Sequence, residues 1–114
     1  MKGVTLWGGM ALLVWSSTAS AQGLRGSELL AYCNAPSDNA FAHGICLGYI
    51  AGAIDDARFA AYSLKTCYFD PPRDMSKGDI AKSVQRYLGE NQDRLENDAA
   101  SLVFGAMQAA YPCK

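Results

Sequence analysis

Four cysteines, Cys33, Cys46, Cys67 and Cys113, restrict this chain more than any other feature. They are widely spaced, with no Cys-x-x-Cys and a single histidine, His43, so they match a zinc site poorly and a pair of disulfides well. Disulfides persist in oxidising compartments, and the N-terminus offers the route to one. Lys2 precedes an apolar block from Val4 to Trp15, which closes on Thr18-Ala19-Ser20-Ala21, a small-residue Ala-x-Ala site. This reads as a secretory signal peptide over residues 1–21, cleaved after Ala21, followed by one mature domain over residues 22–114 in the periplasm. A domain of that size buries only about 60–65% of its unfolded surface and usually needs staples.

The mature part lacks stretches of apolar/polar alternation, whereas helical spacing recurs, which predicts an all-α four-helix bundle. Ser27 precedes Glu28 to Cys33, a short first helix with a cap and an acid in its first turn. After the turn-rich Asn34–Asn39 stretch, a long helix runs from about Ala40 to Leu64. Pro71-Pro72 breaks the chain within the loop from Phe69 to Met75. Ser76 with Asp79 resembles a capping box for a third helix, in which Ile80, Val84, Tyr87 and Leu88 recur at helical spacing. Asn97 is placed to cap a last helix through Leu102, Val103 and Ala106 to Tyr111, where Pro112 stops it.

Antiparallel helices put Cys33 and Cys46 near one end of the bundle and Cys67 and Cys113 near the other. Pairing Cys46 with Cys67 would join the two ends of one helix, about 30 Å apart at 1.5 Å per residue. A disulfide needs Cα atoms within about 7 Å. The expected bonds are therefore Cys33–Cys46 and Cys67–Cys113.

Gly44, Gly48 and Gly52 recur at every fourth position of the long helix, although each interior glycine costs about 1 kcal/mol relative to alanine. A membrane span does not explain them. The apolar run ends at Asp55-Asp56, and a span needs about 20 apolar residues. At 100° per residue, Gly48, Gly52, Asp55, Phe59 and Tyr62 form one stripe, and Cys46, Ile50, Ala53, Ala57, Ala61 and Leu64 the opposite one. The glycine stripe is then either an edge where another helix of the same bundle approaches closely, or a face for a second copy or a partner. Asp55, its one polar member, reads as a structural acceptor or a buried carboxylate.

Little points to catalysis or to a cofactor. His43 is the only base near neutral pH, no nucleophile motif surrounds Ser37 or Ser63, and disulfides would consume every thiolate. A net charge of −1 points to neither nucleic acid nor an anionic membrane surface. The loop is the better candidate for a binding feature. Tyr68 and Phe69 beside Arg73 and Asp74 make the aromatic and charged mixture enriched at protein interfaces, unless Phe69 is tucked onto the core of a rigid connector.

Cys46-Leu47-Gly48-Tyr49-Ile50-Ala51-Gly52 with Asp55, then Tyr87-Leu88, Ala99 and a terminal Tyr111-Pro112-Cys113, resembles the Rap/Tai family of immunity proteins. These protect bacteria against peptidoglycan amidase effectors delivered by type VI secretion. The resemblance implies a small, exported, helical, disulfide-bonded protein, often a homodimer, that occludes an effector's active site. A small periplasmic acid-stress chaperone is the alternative, being also short, exported, helical and disulfide-linked.

Overall fold

A computed structural model describes Gly3 and residues 23–114; the expected signal peptide otherwise lies outside the described residues. Four helices make up the domain: α1 (Gly26–Cys33), α2 (Ala40–Leu64), α3 (Lys77–Glu90) and α4 (Ala99–Ala110). A short 3-10 turn, Gln92–Arg94, links α3 to α4. No strand is present among the described residues beyond a single bridge between Arg25 and Asp98. The all-α reading stands.

Each helix touches the other three, so the core is a single cluster. Leu29 of α1, Val84 and Leu88 of α3, and Val103 and Met107 of α4 are fully buried in it. The long helix contributes Ala42, Cys46, Ile50 and Ile54, one row at four-residue spacing. Beyond Ile54 it places no fully buried side chain, and Phe59, Tyr62 and Leu64 are exposed.

Local sequence explains where α2 and α3 start. The Asn39 side chain accepts from the Ala42 amide at 3.0 Å, satisfying one of the free N–H groups of a first turn. Ser76 accepts from the Asp79 amide at 3.0 Å, and its hydroxyl donates to Asp79 Oδ2 at 2.8 Å, so the expected box forms with a side-chain return arm. At its other end α2 stops on Lys65, which takes the left-handed conformation at φ 53° and ψ 44°. The amides of Lys65 and Thr66 then bond back to Tyr62 and Ala61.

The other two starts differ from the sequence expectation. The cap of α1 is Arg25 and not Ser27, and the cap of α4 is Asp98 and not Asn97. The two starts pair with each other through the backbone. The Gly26 amide donates to the Asn97 carbonyl at 3.0 Å, the Ser27 amide to Leu95 at 2.9 Å, and the Ala99 amide to Leu24 at 2.8 Å. Backbone carbonyls from the opposite segment thus satisfy N–H groups that a cap would otherwise serve. Asp98 caps by accepting from the Ser101 amide at 3.1 Å. Gly26 sits where the segments meet. A methyl group there would overlap Leu102 Cδ1 and press on the Leu95 carbonyl oxygen at 3.1 Å.

Both expected disulfides are present, Cys33–Cys46 with Cα atoms 5.1 Å apart and Cys67–Cys113 with Cα atoms 6.2 Å apart. The first clamps the turn between α1 and α2. Gln85 of α3 bonds the same turn, donating to Asn34 Oδ1 and, at 3.5 Å, to the Cys33 carbonyl. The second ties the end of α2 to the chain's C-terminal segment, where the Asp70 amide donates to Tyr111 O at 2.8 Å and the Tyr111 hydroxyl meets Ser83 Oγ at 2.7 Å.

Two outcomes follow. In the chain-entropy account the bonds contribute about 3 and about 4 kcal/mol, the longer loop more. Replacing Cys67 and Cys113, both exposed, by serine should therefore lower the denaturation midpoint by the equivalent of about 4 kcal/mol, whereas serine at the buried Cys33 and Cys46 adds the cost of buried hydroxyls to the loss of about 3 kcal/mol from the bond itself. Gly26→Ala should cost about 1–3 kcal/mol in the same measurement, because the close approach leaves no room for a methyl group.

Candidate partner-binding site

Gly44, Gly48 and Gly52 are exposed, and a methyl group built on any of them would meet nothing within 4 Å. The bundle-packing reading of this edge is therefore corrected: no helix of the same chain lies against it. The side of α2 that enters the core carries Ala42, Cys46, Ile50 and Ile54; Leu64 of the opposite stripe is exposed as well. Asp55 is corrected with it, being exposed and not buried.

The outward face that results has a definite shape. Phe41, which the sequence reading did not single out, is 76% exposed, and Phe59 and Tyr62 are 70% and 85% exposed. At 100° per residue Phe41, Gly48, Gly52 and Phe59 lie within about 20° of one line. The face is thus a flat glycine floor with an aromatic at each end, the two about 27 Å apart along the axis.

The Phe69–Met75 loop is the second feature. Tyr68 and Phe69 are half-buried rather than exposed, since both rings pack edge-on against Phe104 of α4, at centroid distances of 5.2 and 5.9 Å. Phe69 also touches the core, so the connector reading holds for it. Arg73 and Asp74 remain exposed. The four residues do not form one surface. Phe69 and Arg73 line a cleft of about 510 Å³, whereas Tyr68 lines a groove of about 470 Å³ between α2 and α4, with Ala57, Ala60, Ser101 and Phe104.

Arg58 and Lys77 also line the cleft, and the sequence reading missed both. Their positions hold the signal: Arg58 lies one residue before Phe59 on α2, and Lys77 opens α3 directly after the loop. His43 plays a structural part, with Nε2 3.1 Å from the Pro36 carbonyl. None of the cysteines is free. Tyr49, half-buried against the core, has its pKa raised by burial and secondarily by the Asp98 carboxylate, so its hydroxyl stays neutral near physiological pH.

The candidate site is therefore made of two surfaces, a glycine-floored helix face and a charged cleft. A family model, that of the Rap1a immunity proteins, matches residues 25–113, nearly the whole described domain. The chain belongs to the Rap1a immunity protein family. The resemblance read from Cys46 to Gly52 and from the terminal Tyr111-Pro112-Cys113 is borne out. Membership implies a protein that binds a partner effector. No curated protein and no solved structure matches the chain.

The open glycines give a direct check. With nothing against them, Gly48→Ala and Gly52→Ala should each stabilise the isolated monomer by about 0.5–1 kcal/mol through helix propensity alone. Denaturant midpoints taken at low protein concentration measure this. A loss of stability would mean that the face is packed within the chain.

Proposed function

We propose that this Rap1a-family chain is an exported immunity protein. Its mature domain, residues 22–114, acts in the periplasm by binding a peptidoglycan amidase effector and occluding its active site. The family match carries this reading. It is supported by two disulfides, which suit an oxidising compartment and keep the domain rigid, so that docking loses little conformational entropy. No helix among the described residues is long and apolar enough to cross a membrane.

The outward face of α2 is proposed as a homodimer interface made of Gly48, Gly52, Asp55, Phe59 and Tyr62, with Phe41 added. Its sequence is self-complementary. An antiparallel copy related by a two-fold axis beside position 50 sets Phe41 of each chain against Phe59 of the other and Gly48 against Gly52, as an isologous contact requires. Glycines let the two backbones approach, and the dispersion attraction between them offsets the propensity cost. Arg73 and Asp74, on the exposed loop, are proposed to touch the effector, while Tyr68 and Phe69 hold that loop against Phe104.

Expressing an amidase encoded beside this protein in the periplasm, with and without it, tests the function. Co-expression should protect the cells, and protection should vanish when residues 1–21 are deleted. Arg73→Ala with Asp74→Ala should weaken protection at an unchanged melting temperature, whereas Cys46→Ser should lower both. Equal lysis with and without the protein, and no complex on a sizing column, would contradict the reading.

A further inference from the structure

One surface cleft collects positive charge on a chain whose net charge is −1. It lies between α2, the Phe69–Met75 loop and the start of α3, and Arg58, Arg73 and Lys77 line it with Phe69, Met75 and Ile80. Arg58 and Lys77 also line an adjoining crevice of about 70 Å³ walled by Leu47, Ile50 and Ile54. Among the described residues the one ion pair is Arg25–Glu96, at 3.0 Å. None of the three cations is therefore paired with a carboxylate, although Asp70 and Asp55 stand on the same linings. Three separate elements thus bring unpaired cations to the rim of a partly apolar pocket.

We infer that this cleft receives an acidic segment of a protein partner, one that carries an apolar side chain between carboxylates. The inference rests on the binding-protein reading above and adds the chemistry of what is bound. A guanidinium presents a rigid fork that matches a carboxylate with two parallel hydrogen bonds, and Arg58 and Arg73 supply two such forks. Lys77 adds a mobile point charge. Between them Phe69, Met75 and Ile80 offer an apolar floor that carboxylates alone would leave uncovered. That floor favours a mixed acidic and apolar segment over a nucleic-acid backbone, which has no side chain to cover it.

The test uses the oxidised full domain and a defined probe, a blocked five-residue peptide with a central phenylalanine flanked by two acids on each side. A matched peptide carries the corresponding amides, and a short single-stranded oligonucleotide serves as the polyanion. In a titration followed by amide NMR, the acidic peptide should shift resonances from positions 58, 70, 73–77 and 80 and leave those of Gly44, Gly48 and Gly52 on the outward face of α2 in place. Its affinity should fall at least about tenfold in the R58E/R73E double variant, and by a similar factor between about 50 and 300 mM salt. Both arginines are exposed, so the melting temperature should hold. Equal affinity for the amide peptide, tighter binding of the oligonucleotide, shifts mapped elsewhere, or an unaffected double variant would each overturn the inference. Absence of any saturable shift would do so as well. The probe is independent of any amidase, so a failed protection assay and a failed titration point to different errors.

Discussion

The fold is organised by the burial of one row of α2. Ala42, Cys46, Ile50 and Ile54 lie at four-residue spacing, and the other three helices close on the side of the bundle that this row faces. A helix of 25 residues that buries one residue per turn over only half its length leaves much of its surface unused by its own chain. Each disulfide holds one end of that arrangement. Cys46 belongs to the buried row and bonds the end of α1, and Cys67, just beyond the helix, bonds the C-terminal segment. The proposed binding surfaces are what remains once this row is satisfied: the glycine face opposite it, and the cleft where the loop after α2 turns back beside Arg58.

The glycines give that leftover surface its meaning. In a monomer each of Gly44, Gly48 and Gly52 weakens the helix with no packing to offset the loss. The same residue type at Gly26 is required by close approach, with Leu102 and the Leu95 carbonyl against it. Two kinds of glycine therefore coexist in one small domain. One is explained inside the chain, and the other has no packing partner within it, which is the ground for the proposed interface.

Local signals in the sequence were enough where the chemistry is local. Asn39, Ser76 and Asp79 mark the starts of α2 and α3 because each cap bonds an amide three residues on. End-matching of antiparallel helices found the disulfides because a helix is too long to be bridged end to end. What escaped was tertiary. The start of α1 is served by the Leu95 and Asn97 carbonyls, some seventy residues away, which no cap signal at Ser27 reveals, whereas α4 starts on a local cap, Asp98, one residue past Asn97. Phe69 is half-buried because Phe104 of α4 comes to meet it. Two apolar stripes on one helix cannot be ranked from spacing alone, since a stripe reads the same whether its partner is its own chain or another. Arg58 and Lys77 are near each other only once α2 and α3 pack side by side.

The central claim is that the outward face of α2 is an interface, and sedimentation equilibrium of the oxidised domain beside its Gly52→Leu variant tests it most directly. The wild type should sediment as a concentration-dependent dimer. The variant should sediment as a monomer whose melting temperature, compared at low concentration, is no lower than that of the wild-type monomer, because position 52 opens onto empty space. A wild type that stays monomeric at all concentrations, or a leucine that unfolds the domain without altering its association, would contradict the account.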